Sequence, residues 1–227
     1  MTIPKAPKSP AVIIVSAPSG TGKTTLNRRL TKSHPEVQVS VSYTTRKKRL
    51  GEEEGVHYHF VTNKHFHELI KQGQMLEYAE VFGTLYGTPV AEIQRLQAAG
   101  KIALLEIDVQ GWRQAREKLP GAKAIFILPP TVEALWQRLE GRATEAKDVR
   151  WRRLMTARNE ISSGNLYDHF IVNHNLEIAY AELEAIVIKG EKSKIGHQEG
   201  LRLCQQLLTE FDDAPWLHKL SRELADN

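Results

Sequence analysis

Four short apolar runs punctuate the chain, at Ala11–Ser16, Ile102–Ile107, Lys123–Leu128 and His169–Val172. They are largely continuous rather than alternating, which is the pattern of strands buried on both faces. Each is followed by a stretch with helical capacity: Thr24–Lys32, Gln110–Lys118, Thr131–Leu139 and Glu177–Lys189. Strand–helix alternation of this kind predicts an α/β fold, a parallel sheet core flanked by helices on both faces.

The intervals between these units read differently. Residues 38–87 carry short mixed runs with aromatics and glycines (Val37–Tyr43, Val56–Val61, Met75–Phe82), which predict a small mixed-β insertion. Residues 140–159 are charged and arginine-rich with poor apolar spacing at their start, the pattern of a mobile helical lid. Residues 1–10 hold three prolines and predict a flexible tail. The main domain is expected over 11–190, with its core at 11–37, 88–139 and 160–190. Residues 191–227 form a helical C-terminal extension of two amphipathic stretches, Leu201–Phe211 and Trp216–Leu224, expected to pack on the core.

Composition narrows the chemistry. Among 227 residues, Lys plus Arg number 31 and Asp plus Glu 27, a net charge of +4. That mild excess suits an enzyme handling anions and predicts no nucleic-acid partner, which would call for a basic face. The single cysteine, Cys204, excludes an intramolecular disulfide and a thiolate-built zinc site. The opening residues contain no apolar signal-type segment, and no run is long enough to span a membrane; a cytoplasmic location is expected.

After the first strand the chain reads Ala17-Pro18-Ser19-Gly20-Thr21-Gly22-Lys23-Thr24. This matches the phosphate-binding loop, with Ala17 where the first glycine would stand. Gly20 and Gly22 let successive backbone N–H groups turn inward on a nucleotide's phosphates, and the following helix adds its positive N-terminal end. Lys23 is placed to bridge the terminal phosphates and the Thr24 hydroxyl to ligate Mg²⁺. A switch GTPase is excluded, because the only Asn-Lys pair, Asn63-Lys64, is followed by His65-Phe66 rather than the guanine-reading continuation.

Downstream, Ser40–Phe60 offers hydroxyls, Arg46 and Arg49 three apart, then acids and Tyr58, a set of groups suited to an anion. Taken whole, Thr44-Thr-Arg46-Lys-Lys-Arg49-Leu-Gly-Glu52, Tyr58-His-Phe60 and the preceding glycine loop closely resemble the guanylate kinase family. The resemblance extends over residues 11–190 through Glu77-Tyr-Ala-Glu-Val-Phe-Gly83, Tyr86-Gly-Thr88, Leu105-Glu-Ile-Asp108-Val-Gln-Gly111, Arg138-Leu-Glu-Gly-Arg142 and Ile171-Val-Asn173. It implies a P-loop nucleoside-monophosphate kinase fold with a GMP-binding insertion and a lid. The implied reaction takes the γ-phosphoryl group of Mg-ATP to GMP, and to dGMP, without a covalent intermediate.

Matched position by position, Ser42, Arg46, Arg49, Tyr58 and Tyr86 correspond to residues that hold the GMP phosphate, and Glu77 and Thr88 to those that read the guanine. Glu106 and Asp108 complete the acceptor set, Asp108 also lying near the metal through an indirect contact; Glu106 stands where many members have Asp. Arg142 and Arg153 correspond to lid arginines that act with Lys23 and Arg46 on the transferring group, and Asn173 to a residue near the ATP base. Lys48, in place of a usual proline, and Ala143, in place of a lid glycine, are departures. The partners implied are ATP and GMP, for a monomer or small homo-oligomer. Two alternatives are a ribose 1,5-bisphosphate phosphokinase, in which Glu77 and Thr88 would have no task, and a non-catalytic binding module, which would not need Lys23 and Thr24.

Overall fold

In the computed structural model, which describes residues 12–81, 83–141 and 146–225, every residue of the first strand is buried. In chain order the elements are β1 (Val12–Ser16), α1 (Lys23–Ser33), β2 (Val37–Val39), β3 (Tyr43–Thr44), β4 (His59–Phe60) and α2 (Asn63–Lys71). Then come β5 (Met75–Val81), β6 (Thr84–Pro89), α3 (Val90–Ala98), β7 (Ile102–Leu105), α4 (Val109–Ala115), β8 (Lys123–Leu128) and α5 (Val132–Glu140). The chain ends with α6 (Lys147–Ile161), β9 (His169–Val172), α7 (Leu176–Glu184), α8 (His197–Asp213) and α9 (Pro215–Ala225). A π-helical turn, Ala185–Lys189, continues α7, so the single helix expected over 177–189 changes its winding half-way. The tail at 1–10 lies outside the described residues.

The chain divides into two compact units, one of Met1–Ile14 and Thr31–Lys123, the other of Val15–Leu30 and Ala124–Asn227. In the first unit β7 pairs in parallel with both β2 and β1, with Val12 opposite Ala103 and Val39 opposite Leu104. The same unit carries a mixed sheet in the order β4-β3-β6-β5. Helix α2 closes that sheet's apolar face: Phe66 and Leu69, three apart, are buried with Met75 against Tyr43, Val61 and Leu85. Thr62 starts the helix by accepting the His65 N–H. This helix and α3, absent from the expectation, are short, so their apolar period spans barely two turns.

In the second unit β8 and β9 pair in parallel, Ile125 opposite His169 through Leu128 opposite Val172. Helix α6 explains why its sequence looked weakly amphipathic. Its first two turns bury nothing, whereas Leu154, Ala157 and Ile161 form one buried stripe. The C-terminal helices bury Cys204, Leu207 and Phe211 from α8 and Leu217 and Leu220 from α9. Close approach depends on missing side chains: a Cβ on Gly200 would overlap the Phe170 ring, and one on Gly164 would lie 2.6 Å from Cys204 Sγ. Burial pushes the Cys204 thiol up to about 12, so it is an inert core group. No helix among the described residues is long and apolar enough to cross a membrane.

Candidate functional site

The glycine loop lies in the second unit, between the end of β1 and the first turn of α1. Gly20 and Gly22 have φ of 92° and 99°, values open to glycine and strained for other residues. The Thr21 N–H donates to the Pro18 carbonyl at 3.1 Å, and Leu26 N–H to Gly22 at 3.2 Å, so the turn runs directly into the helix. The unsatisfied N–H groups of the first turn carry its partial positive charge. Lys23 opens α1, and Thr24 follows as an exposed hydroxyl in that turn.

The loop is braced from several sides. Asn173, at the end of β9, is 4% exposed, and its Nδ2 donates to the Thr21 carbonyl at 2.7 Å. A Cβ on Gly22 would lie 2.7 Å from that nitrogen, and one on Gly20 3.0 Å from Leu139. The absent side chains thus allow the loop to seat on Asn173 and α5. Arg138 donates to the Asn173 carbonyl at 2.7 Å, and burial pushes its pKa down. Arg153, half-buried on α6, donates to Ser19 Oγ at 3.1 Å. Arg142 and Ala143 lie outside the described residues.

The acceptor candidates gather in the first unit. Thr44 is buried on β3, and its Oγ1 accepts the Arg46 N–H, which sets the direction in which Arg46 leaves the strand. The Arg46 guanidinium forks onto Glu52 with bonds of 3.0 and 2.7 Å, and stands 5.6 Å from the Tyr58 ring centre. Tyr86 hydrogen-bonds to it as well, and the two tyrosine rings meet edge-on at 5.9 Å. Glu52 also accepts the Arg49 N–H at 2.8 Å, while the Arg49 side chain is exposed. Arg46 first, then the Arg49 amide, hold the Glu52 carboxyl down to about 2. Burial pushes the Tyr58 hydroxyl up, so it stays protonated and able to donate.

A second cluster links Ser42, Thr88 and Glu77. Ser42 Oγ lies 3.2 Å from Thr88 Oγ1, and Thr88 hydrogen-bonds to Glu77, its opposite number on β5. The β5–β6 register slips between Met75 and Glu77, a bulge that leaves Met75, Leu76 and Glu77 all buried in succession. Burial, and then the charge of Asp108, push the Glu77 carboxyl up, against the opposing pull of Thr88 and Lys118. Glu106 is half-buried just beyond β7. Asp108 is the N-cap of α4, its Oδ1 accepting the Gly111 N–H at 2.7 Å.

Two contributors were not picked out from the sequence. Glu52 carries a signal in hindsight, an acid three residues past Arg49. The β5 bulge carries none, because strict alternation would send Leu76 and Glu77 to opposite faces.

Comparison with known proteins gives a consistent result. The family model described as Guanylate kinase matches residues 9–190. A guanylate kinase of Neisseria gonorrhoeae is 52% identical over 176 residues, covering 78% of this chain and 86% of the relative. One from Oleidesulfovibrio alaskensis is 47% identical over 205 residues, covering 90% and 98%. The crystal structure of guanylate kinase from Anaplasma phagocytophilum superposes with a TM-score of 0.63 at 32% identity, covering 92% of this chain and 97% of that one.

Proposed function

We propose, because this chain belongs to the guanylate kinase family, that it transfers the γ-phosphoryl group of ATP to GMP, and to dGMP, giving ADP and the nucleoside diphosphate. The observation that carries the guanine specificity is Glu77, a buried carboxylate bonded to Thr88. Guanine presents N1–H and its 2-amino group side by side, and a carboxylate accepts from both. Adenine has no donor pair there, and would leave the buried carboxylate unpaired at a cost.

On the donor side, the backbone N–H groups of Ser19–Thr24 cradle the ATP phosphates from Ala17-Pro18 onward, and Lys23 neutralises the charge developing on the terminal ones. Asn173 and Arg138 keep that cradle in shape from beneath; Arg153, tied to Ser19, supplies a cation at its rim, with Arg142 assigned the same task from the resemblance. On the acceptor side, Arg46, Arg49, Ser42, Tyr58 and Tyr86 supply two guanidinium forks and three hydroxyls for a phosphate dianion. Glu52 holds Arg46 extended and ordered before the dianion arrives. Catalysis is then positioning and charge neutralisation, with no covalent chemistry asked of the protein.

The residues fit Mg²⁺ as a metal held chiefly by the nucleotide. Thr24 offers a hard hydroxyl oxygen, and no group of three or more His, Cys, Asp or Glu among the described residues could hold an ion alone. When bound, Mg²⁺ neutralises phosphate charge. Asp108, with Oδ1 engaged in the α4 cap, is assigned an indirect place near the metal. Glu106 is the adjoining acid of the acceptor set.

The test is ADP production with GMP, dGMP, AMP, UMP or ribose 1,5-bisphosphate as acceptor. Fast turnover with the guanine nucleotides alone is expected. Activity on the sugar with silence on GMP would overturn the assignment and leave Glu77 without a task; silence on all, with GMP still bound, would make the chain a binding module.

A further expectation concerns Arg46→Lys. A point charge cannot serve both Glu52 and a phosphate, so KM for GMP should rise about 10–100-fold with KM for ATP little changed. Glu52 should lose the partner that depresses it. A carboxyl whose folded pKa is depressed stabilises above its unfolded value, near 4.5, and that contribution is lost as pH falls toward 2. In Arg46→Lys the Glu52 titration followed by NMR should therefore move up toward the ordinary carboxylate range; a titration still near 2 would exclude Arg46 as its main partner.

A further inference from the structure

We propose that Gly111 determines base specificity: by lacking a side chain inside α4, it leaves the space in which the Glu77 carboxylate sits, and α4 as a whole is the template that aims Glu77. This rests on Glu77 as the guanine reader. A Cβ built on Gly111 would lie 2.8 Å from Glu77 Oε2, 3.3 Å from its Cδ and 3.2 Å from Ile107 Cβ. Ordinary contact begins near 3.4 Å, so even an alanine must push the carboxylate by roughly half an ångström or turn it.

The backbone itself does not ask for glycine there. Gly111 lies in the first turn of α4, is absent from the glycines with positive φ, and gives its N–H to Asp108. Glycine is the poorest helix former after proline, so the local sequence argues for another residue. What opposes that is the buried carboxylate opposite.

Helix α4 and the turn that follows it hold the Glu77 strand at two further levels. Gln114 makes both bonds a neighbouring strand would make, accepting the Tyr78 N–H at 3.1 Å and donating to the Tyr78 carbonyl at 2.9 Å. Lys118, in the turn after α4, donates to the Met75 and Leu76 carbonyls at 3.0 and 2.9 Å. Positions 111 and 114 lie on one face of α4, and Lys118 follows in the turn after its end. The strand backbone on either side of Glu77 is therefore fixed, and Thr88 holds the carboxylate from β6. A displaced carboxylate has no compliant neighbour to move with, and it must meet two coplanar guanine donors, a geometry in which an error of an ångström can cost about a hundredfold.

The experiment is Gly111→Ala, assayed for kcat and KM with GMP and AMP beside Glu77→Gln. The expected result is a ten- to hundredfold fall in kcat/KM for GMP, mostly in KM. AMP and ATP constants should hardly change, so the GMP-to-AMP ratio narrows. A merely structural defect would lower both acceptors together. An unchanged ratio in Gly111→Ala with a collapsed ratio in Glu77→Gln overturns the role of Gly111 and leaves the reading of Glu77 standing. An unchanged ratio in Glu77→Gln removes that reading itself. If Gly111→Ala unfolds, Gly111→Ala combined with Glu77→Ala decides: recovery of Tm by removal of the carboxylate supports the steric pairing, and no recovery refutes it.

Discussion

Replacing Lys23 by methionine lowers kcat by about 10²–10³-fold while leaving GMP binding within a few-fold of the parent, on the reading of Lys23 as the bridge to the terminal phosphates. Methionine keeps the length and apolar stem and removes only the ammonium. The loss is therefore a direct measure of the charge supplied in the transition state, where one well-placed donor in a preorganised site commonly contributes two to three orders of magnitude. GMP binding is spared because its candidate ligands, from Ser42 to Asp108, all lie in the first unit, whereas Lys23 lies in the second. The loop should keep its shape, since its braces are Asn173, Leu135, Leu139 and Arg153, all of which the substitution leaves in place. ADP release gives kcat, and calorimetry gives the GMP affinity. Turnover within about tenfold of the parent would remove Lys23 from the catalytic set.

The second large effect is at Glu77. Glutamine has nearly the same volume, so its fit against Gly111 is retained, but one of two acceptors becomes a donor facing a donor. Sites that read a substrate by buried hydrogen bonds lose about 10²–10⁴-fold in discrimination when the match is spoiled. The expected outcome is a fall of that order in the GMP-to-AMP ratio of kcat/KM, with an unchanged ratio counting against guanine reading. Stability should move the other way. Burial, and then Asp108, raise the Glu77 pKa in the folded chain. A raised carboxyl binds its proton more tightly when folded, so stability is greatest below the unfolded value, near 4.5, and falls as pH rises through the raised one. Glutamine carries no such penalty. Without nucleotide, Glu77→Gln should match or exceed the parent in Tm at pH 8, and the gap should narrow near pH 4.5. A Tm lower at pH 8 than the parent's would mean that the carboxylate is stabilised by its surroundings.

Guanine donors aimed at that carboxylate favour its charged form, so GMP binding should weaken as pH falls through the raised value. Its two acceptors repay part of the desolvation that folding left outstanding. The site is thus less stable empty than filled, a common state for a preorganised binding group.

Four of the five strands in these parallel ladders, β1, β7, β8 and β9, were legible because a doubly buried strand leaves a continuous apolar run in sequence, and Lys123–Leu128 and His169–Val172 coincide with β8 and β9 residue for residue; β2, only three residues long, was read with the insertion instead. The glycine loop was legible for a similar reason: its pattern is carried by eight consecutive residues, Ala17–Thr24, so local spacing alone specifies it. Helix α2 was missed because its apolar face is two residues, Phe66 and Leu69, inside a segment dominated by strands.

The amino-acid sequence by itself determined the residue types and their local spacing: the phosphate loop, the paired arginines, the acid at position 77, and a fold class that follows from short-range periodicity. Only the tertiary structure decided what each group faces. It turned Glu77 inward by a bulge, set Gly111 against its carboxylate, tied Arg46 to Glu52 and placed Asn173 beneath the loop. Gly111 stands 34 residues beyond Glu77, and Asn173 lies 152 from Thr21. Protonation, aim and available space are set by neighbours at that range, and no local pattern encodes them.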